Sequence, residues 1–530
     1  MRALNLGISS EIAISFNVAT SLFAVPLYVP LYASPGFIDL ARLFLLVQIL
    51  PTLALFAVGR GLGWSGRWDF ARRAYWIALT LAGVASFLRS WQLHLGFGFP
   101  DAPAWMKLAA VASVGPAILA LTFIRADWIP KMMGRLIPIT ITVSVAFLAF
   151  IQLSTPTAAG VKTTNVMRDD AAFVFIFDEL GRDALGGRRT ALGDGPTVDE
   201  VFFPNFAAFA ADSTWIADAT SNFSPSCESI PSMLSGRPQP RCDESFLVGG
   251  KARLLTTLAQ NFSLEVYGEY LEGCPDHAEV CRDKPYLITH YPLVGIVSHL
   301  FPQSFRAGPA LDAIRIRDGF PYTLALWTDF LDQVRTVDLH GRAFFVHLNL
   351  PHSPYAYLAD GRLSHTPPRS QYFYGTEQDT VAYDNYREQI RFVDALFGNF
   401  IGILQQRGAY ATATIVVTGD HGPRLQVPPR TTTLVGISAE TPDVPVIVRS
   451  PRIGKVRDTS EYQHIDFTRT VLDAVGLAAE EFQGRSALEP GALPRQKWFV
   501  YFDTVFIRES DGSWRKLEEQ PTWPDRARLR

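Results

Sequence analysis

Charge-free apolar stretches dominate the first third of the chain. They cover residues 12–38, 43–59, 74–88, 108–124 and 136–161. A helix that crosses a bilayer needs about 20 mostly apolar residues, and flanking Arg or Lys side chains allow a shorter stretch. The pattern predicts a transmembrane domain of five helices over residues 1–161. A set of buried core helices is the alternative.

Positive charges are distributed unevenly over the loops between these stretches. Loops 60–73 and 125–135 carry several Arg and Lys residues, whereas loops 34–41 and 90–106 carry almost none. Because Arg and Lys are retained on the cytoplasmic side, the asymmetry places the N-terminus in the cytoplasm. Everything after residue 161 is then expected outside the cytoplasm.

The hydrophobic pattern changes after residue 161. Short runs rich in Val, Ile and Phe now alternate with helical patterns, at 171–177, 263–269, 342–350, 413–420 and 444–450. Continuous apolar strands separated by helices are typical of a parallel sheet covered on both faces. The sequence therefore predicts an α/β domain over residues 162–530, with a parallel-rich sheet flanked by helices. In the tail, residues 497–517 predict two strands around an Asp511–Gly512 turn.

Composition narrows the function without changing this division. The net charge is −3 and the pI is about 6.4, so the basic excess of a nucleic-acid binder is absent. All four cysteines follow the last apolar stretch: Cys227, Cys242, Cys274 and Cys281. On an exported domain they predict disulfides, and we expect the local pairs Cys227–Cys242 and Cys274–Cys281 because short loops close most easily. The other pairings and free buried thiols are the alternatives.

Side chains that bind metal ions follow three of the predicted strands. Asp178 and Glu179 end one strand, His352 follows another, and Asp420 and His421 end a third. A single acid at a strand end is more often the cap of the next helix. Parallel strands end at one edge of a sheet, however, so the three ends together indicate a shared divalent cation. Zn²⁺ is expected, with Mn²⁺ as the alternative.

A candidate nucleophile lies in the stretch SPSCESIPSMLSGR, residues 224–237. This stretch predicts a short helix with Ser226 near its N-terminal end. A hydroxyl there faces the positive end of the helix dipole, and a neighbouring metal ion would lower its pKa further. A simple helix cap, formed by Ser224, Ser226 or Ser229, is the alternative.

In their order and context, these motifs resemble the alkaline phosphatase and sulfatase superfamily. The similarity extends over roughly residues 165–510 and includes the late helical stretch EYQHIDFTRTVLDAVG. Five N-terminal spans before an exported domain are similar to the membrane-bound branch of phosphoethanolamine and phosphoglycerol transferases. The resemblance implies an alkaline phosphatase-like fold in a multi-pass protein of the bacterial cytoplasmic (inner) membrane, with a periplasmic catalytic domain.

The resemblance also implies roles for individual residues. Ser226, five residues before Pro231, takes the place of the covalent nucleophile. His352 takes the place of the substrate-side histidine, which binds phosphate or protonates a leaving oxygen. The implied metal ligands are Glu179, Ser226, Asp420 and His421, with Asp178 as a further candidate.

Departures from the family pattern narrow the expected chemistry. Ser226 lacks the following Pro and Arg of the formylglycine motif, so sulfate-ester hydrolysis by that route is not expected. The ethanolamine transferases carry another histidine soon after the Asp-His pair; here His464 is the candidate replacement, as a substrate-binding residue. Ordinary surface salt bridges are the default expectation for Arg182 and Arg424, and clamping of phosphate is the alternative. His347 is expected to be a packed strand residue.

The expected function is the transfer of a phospho-head-group, of the phosphoethanolamine or phosphoglycerol type. The partners would be a phospholipid donor and a glycan or lipid acceptor, with Ser226 carrying the group between them. A membrane-anchored phosphodiesterase or sulfatase-like hydrolase, with water as the acceptor, is the first alternative. A non-catalytic membrane scaffold is the second, although it would not need all the motifs intact.

Overall fold

A computed structural model describes residues 53–58, which are helical, and most of residues 170–518. Within the second range, the residues left undescribed are 187–197, 217, 239–251, 269–270, 272–274, 276–277, 283–322, 354, 363–378, 426–439, 456, 459–461, 480–481, 483, 490–495, 502–503 and 511. Apart from residues 53–58, the predicted transmembrane helices lie outside the described residues. Within the described part, no helix combines the length and the apolar character that a membrane span requires.

The chain separates into two compact units. One consists of Met1–Thr157 and Pro285–Ala307, and the other of Ala158–Lys284 and Gly308–Arg530. All the strands and labelled helices below belong to the second unit. The division into a membrane domain over residues 1–161 and a catalytic domain over residues 162–530 remains a prediction.

A mixed eight-stranded sheet forms the centre of the second unit. In spatial order its strands are β10 (Arg457–Asp458), β2 (Thr214–Ile216), β9 (Val446–Arg449), β8 (Thr414–Gly419), β1 (Ala172–Phe177), β7 (Arg342–Leu348), β5 (Ser263–Gly268) and β6 (Val280–Arg282). The run from β8 through β1, β7 and β5 to β6 is parallel, as the apolar runs predict.

Strand β9 corrects the expectation that all the apolar runs form one parallel sheet. It pairs antiparallel with both β8 and β2. Its first residue, Val446, lies opposite Thr418 near the end of β8. The chain therefore re-enters the sheet at the edge where β8 left it, and a neighbouring strand that enters there must run in the opposite direction.

Helices cover both faces of this sheet. Those in the described residues are α1 (Arg182–Leu185), α2 (Pro204–Ala211), α3 (Ser226–Ser235), α4 (Arg253–Asn261), α5 (Thr323–Thr336), α6 (Asp379–Gln406) and α7 (Phe467–Ala474). Every residue of β1 is buried. On one face, Phe175 contacts Phe330 of α5 and Phe400 of α6. On the other, Val174 and Ile176 share a core with residues of α3, α4 and α7.

Two smaller sheets complete the described part. Strands β14 (Trp514–Lys516), β13 (Thr504–Arg508), β12 (Trp498–Tyr501) and β4 (Phe223–Ser224) form one, and β11 (Tyr462–Gln463) pairs with β3 (Ala219–Thr220) in the other. The tail thus contains three strands rather than the two predicted. The expected turn at Gly512 joins β13 to β14, but the chain also reverses between Tyr501 and Thr504. This reversal lets Val500 and Val505 both pack with Phe223.

Neither cysteine within the described residues is a free thiol. Cys227 follows Ser226 in the first turn of α3, and Cys281 lies in β6; both are disulfide-bonded. Cys242 and Cys274 lie outside the described residues, so the pairing remains a prediction.

Asp394 of α6 caps a helix from another part of the chain. Its Oδ1 accepts the N–H of Phe206 (2.7 Å), and its Oδ2 accepts the backbone and side-chain N–H groups of Asn205 (3.3 and 2.8 Å). Both donors lie in the first turn of α2, which has no side-chain cap of its own. We expect Asp394→Ala to lower the free energy of unfolding by about 2 kcal/mol, because it leaves buried donors unpaired.

Chemical denaturation of the full-length protein would measure this loss. Asp384→Ala, at an exposed position of the same helix, is the matched control and should change stability by less than ~0.5 kcal/mol. Equal stabilities for the two variants would contradict the capping role of Asp394.

Candidate metal and nucleophile site

Two turns lie side by side at the carboxyl edge of the central sheet. Strands β1 and β8 are parallel neighbours in which Phe177 pairs with Gly419, so the residues after each strand meet. Asp420 Oδ1 accepts hydrogen bonds from the backbone N–H groups of Glu179 (2.9 Å) and His421 (2.8 Å). One carboxylate oxygen therefore holds both turns together.

Glu179 has an unusual backbone conformation at this point. Its φ is +63°, and no other non-glycine residue in the described part has a positive φ. This region costs an L-residue about 1–2 kcal/mol. Tyr386 of α6 stabilises the turn, since its hydroxyl donates to the Glu179 carbonyl (2.6 Å) and accepts the N–H of Gly181 (3.0 Å). The two consecutive acids can thus point in different directions.

A group of buried donor atoms suited to a metal ion lies between these turns. Ligand atoms of Asp178, Asp420 and His421 are all within 4.8 Å of one another. Asp420 Oδ2 is buried without a hydrogen-bond partner. His421 Nδ1 lies 2.8 Å from the Gly422 carbonyl, so Nδ1 carries the proton and Nε2 has a free lone pair. Asp420 Oδ2 and His421 Nε2 therefore each have a lone pair that a metal ion in this group could accept.

Ser226 supplies a fourth donor from the start of α3. Its Oγ lies 3.3 Å from Asp178 Oδ1 and 3.4 Å from His421 Nε2, and His421 Nε2 lies 3.5 Å from Asp420 Oδ2. Four donors bound to one ion at about 2.0–2.1 Å in tetrahedral geometry are about 3.3–3.4 Å apart. The side chains present therefore fit a four-coordinate divalent cation.

Burial shifts the pKa values of these groups. It raises the pKa of Asp178 well above the usual range, and the negative charges of Asp420 and Glu179 raise it further. Burial opposes ionisation of Asp420 too, but the neighbouring His421, the Ser226 hydroxyl and the Glu179 N–H hold its pKa below the usual value. Burial lowers the pKa of His421, which favours the neutral imidazole that binds metal ions. The group lacks positive charge, which a cation would supply.

The Glu179 carboxylate lies in a neighbouring contact group rather than among these donors. Its Oε2 accepts the hydroxyl of Tyr355 (3.0 Å) and the N–H of Ser353 (3.3 Å). Its Oε1 faces Arg424 Nε at 3.3 Å and His352 Nε2 at 3.6 Å. The side chains of His352 and Arg424 are 15% and 13% exposed, so a bound substrate can reach them. Among the two acids, Asp178 is therefore the one that approaches Ser226.

The two other predicted substrate-binding residues lie in buried positions. His464 Nε2 is 3.2 Å from Thr418 Oγ1, and the imidazole is fully buried. It thus lies in the interior rather than at a surface that substrate can reach. Arg182 is 2% exposed and places Nη2 2.7 Å from Asp443 Oδ2, with two further aspartates nearby. These contacts correspond to the salt-bridge expectation for Arg182.

Several residues that support the site have no signal in the sequence. The Tyr355 hydroxyl contacts the Glu179 carboxylate, and the Tyr386 hydroxyl contacts its backbone carbonyl. Ser221 Oγ lies 2.7 Å from the Asp420 carbonyl oxygen. Tyrosines and serines are common, and nothing in their local spacing distinguishes these positions. His347 is a fully buried residue of β7, as its position in the apolar run predicts, with Nε2 3.8 Å from Asp178 Oδ2.

Comparison with known proteins places this site in a family. A protein-family model described as Sulfatase matches residues 173–477, which is more than half of the chain and includes all four donors, Ser226 among them. The chain belongs to the Sulfatase family. Its mixed sheet, covered by helices on both faces, is an α/β fold. Sulfatase-family enzymes are metal-dependent.

Solved structures resemble the chain only distantly. A phosphonate monoester hydrolase of Agrobacterium radiobacter is 14% identical, with 66% of this chain and 88% of that chain covered and a TM-score of 0.45. The C-terminal periplasmic domain of EcEptC from Escherichia coli is 13% identical, with 71% and 100% covered and a TM-score of 0.44. None of the curated proteins matches this chain. Likeness at this level has no bearing on activity.

We expect His421→Ala to weaken Zn²⁺ binding by more than about 100-fold, because it removes one of four donors. Isothermal titration of the metal-free, full-length protein would measure the affinity. His340→Ala is the matched control, since His340 lies at the surface with 70% of its side chain exposed. Wild-type affinity in His421→Ala would rule out this group as the metal site.

Proposed function

We propose that this protein is a metal-dependent membrane transferase with Ser226 as its nucleophile. It moves a phospho-head-group, of the phosphoethanolamine or phosphoglycerol type, from a phospholipid to a glycan or lipid acceptor. The observation that carries the proposal is the position of Ser226 Oγ, 3.3 Å from Asp178 Oδ1 and 3.4 Å from His421 Nε2. A hydroxyl held among the donors of a cation site is in the position that activation by a metal ion requires.

The residues that would hold the cation are Asp178, Ser226, Asp420 and His421. A mixed set of four oxygen and nitrogen donors suits Zn²⁺, and Mn²⁺ is the alternative. When bound, the ion would stabilise negative charge on the phosphoryl oxygens and lower the pKa of the Ser226 hydroxyl.

The protein's own side chains account for the bonds and protons of the first step. Ser226 Oγ bonds to phosphorus, and the bond from phosphorus to the glycerol oxygen of the lipid breaks. The Ser226 proton passes to Asp178, the carboxylate 3.3 Å from Oγ. His352, whose Nε2 lies 3.6 Å from Glu179 Oε1, gives a proton to the glycerol oxygen, so that diacylglycerol leaves as an alcohol.

The second step reverses the proton transfers. The acceptor hydroxyl attacks the phosphorus of the Ser226 adduct and gives its proton to His352. The bond between phosphorus and Ser226 Oγ breaks, and Asp178 returns the proton to Oγ. Both side chains are then ready for the next donor.

The charges around the site support a phosphodiester donor. Asp178, Glu179 and Asp420 bring three buried carboxylates, and Arg424 and a divalent cation would balance them. With the proton that His352 gives to the leaving oxygen, this set carries one positive charge. A phosphodiester neutralises that charge, whereas a phosphate monoester leaves one negative charge. Since uncompensated charge is costly at a buried site, the singly charged ester is favoured.

The lipid partner is consistent with the setting expected from the sequence. Residues 1–161 predict a multi-pass anchor in the bacterial cytoplasmic membrane, with residues 162–530 on the periplasmic side. A catalytic domain tethered in this way stays close to the head groups of the outer leaflet. Such a tether raises the effective concentration of a lipid donor.

We expect Ser226→Ala to lower turnover of bis-para-nitrophenyl phosphate at least about 1000-fold, because no covalent intermediate can form. Ser235→Ala, which removes a buried hydroxyl from the same helix, is the control and should remain active. Intact-protein mass spectrometry after incubation with phospholipid vesicles should find an adduct on Ser226, whose mass identifies the head group. Full activity in Ser226→Ala would dismiss the mechanism. Equal release of free head-group phosphate with and without acceptors would indicate a hydrolase.

The charge balance predicts a preference that a second assay can measure. For the wild type, kcat/KM for bis-para-nitrophenyl phosphate should exceed that for para-nitrophenyl phosphate by at least about tenfold. Glu179→Gln removes one negative charge and should narrow this ratio, whereas Glu279→Gln at the exposed sheet edge should leave it unchanged. A wild-type preference for the monoester would contradict the assignment of a singly charged donor.

A further inference from the structure

Two buried hydroxyl groups converge on the backbone carbonyl of Asp420. Ser221 Oγ and Ser229 Oγ each lie 2.7 Å from the Asp420 carbonyl oxygen. Neither side chain is more than 1% exposed. Water therefore does not compete for these hydrogen bonds, which makes each of them more costly to lose.

The two serines lie on either side of the candidate nucleophile. Ser221 precedes Ser226 by five residues, and Ser229 follows it by three, within α3. Asp420 belongs to the turn after β8, which also carries His421. The two hydroxyls thus fasten the Ser226 segment to the turn that carries two of the candidate metal ligands.

Ser229 differs from another buried serine of α3 in the acceptor of its hydrogen bond. Ser232 Oγ donates to the carbonyl of Glu228, four residues earlier in the same helix (2.7 Å). That is the ordinary local bond of a buried serine in a helix. Ser229 Oγ instead donates to Asp420, which is 191 residues away in sequence. Its bond joins two elements rather than one helix to itself.

A third residue connects the Ser226 segment to other elements. Asn222 Nδ2 donates to Gln463 Oε1 (2.7 Å), and its Oδ1 accepts the N–H of Ile465 (3.0 Å). The Asn222 carbonyl accepts the N–H of Val500 in β12 (2.8 Å). The segment before α3 is therefore anchored to the residues around His464 and to the C-terminal sheet. Ser221 and Ser229 add the connection between this segment and the turn after β8.

We propose that Ser221 and Ser229 are positioning residues, which together form a clamp on the Asp420 carbonyl. The clamp sets the distance between Ser226 Oγ and the donor atoms of Asp178, Asp420 and His421. Neither serine would touch the substrate; they act through the positions of α3 and of the turn after β8. The inference rests on the proposed role of Ser226 as nucleophile. Since displacement of a reacting atom by about 1 Å can cost about 100-fold in rate, such a clamp would matter for turnover.

The test compares Ser221→Ala, Ser229→Ala and the double variant with Ser232→Ala, all as full-length protein. Either hydroxyl alone still holds the Asp420 carbonyl, so each single variant should lose less than about fivefold in kcat for bis-para-nitrophenyl phosphate. The double variant should lose about 100-fold, with KM changed less than about threefold. Ser232→Ala removes an equally buried hydroxyl and should keep wild-type kcat. The clamp would be overturned if the fold-loss of kcat in the double variant were only the product of the two single-variant losses. An equal loss of kcat in Ser232→Ala and the double variant would also overturn it.

A spectroscopic measurement separates the clamp from the proposed function. In Co²⁺-loaded protein, the visible absorption spectrum reports the donor set, and it should change in the double variant as in Ser226→Ala, but not in Ser232→Ala. If neither the wild type nor Ser232→Ala turns over the probe, the proposed function fails, and this spectrum still decides the clamp. A wild-type spectrum in the double variant would show that Ser226 keeps its position without the two serines, and would end the proposal.

Discussion

The parallel pairing of β1 with β8 is the constraint on which the site depends. Backbone hydrogen bonds between two fully buried strands bring the turns after Phe177 and Gly419 together. Beyond the strand ends, Asp420 Oδ1 accepts one backbone N–H group from each turn and so joins the two turns. The Glu179 N–H and the Asp420 carboxylate, which are 241 residues apart in sequence, thus become neighbours at the end of the paired strands.

The nucleophile segment reaches this edge by a different route. Ser226 follows the short strand β4, which pairs with β12 of the C-terminal sheet, and Phe223 packs with Val500 and Val505 there. Residues near the C-terminal end of the described part thus help to position a side chain near the middle of the chain. Ser221 and Ser229, which contact the Asp420 carbonyl, connect this segment to the turn after β8.

Electrostatics explain why so polar an arrangement is tolerated inside the fold. Asp178, Glu179 and Asp420 are all buried, and a buried carboxylate without a partner is strongly destabilising. Backbone N–H groups, Tyr355 and Arg424 compensate part of this cost. A cation that binds only the folded state would contribute the rest, and would stabilise the fold by mass action. Function and stability are thus linked through the same carboxylates.

The sequence by itself determined the local structure, that is, which segments form strands and helices. The apolar runs predicted β1, β5, β7 and β8 because continuous burial demands such runs, and the helix at Ser226 followed from its local pattern. Only the tertiary structure decided the antiparallel direction of β9 and the third strand of the tail. It also decided which acid faces Ser226, at a left-handed Glu179 whose carbonyl accepts a hydrogen bond from Tyr386, and it placed His464 and Arg182 in buried positions. Those outcomes depend on contacts between residues far apart in the chain, which no local pattern encodes.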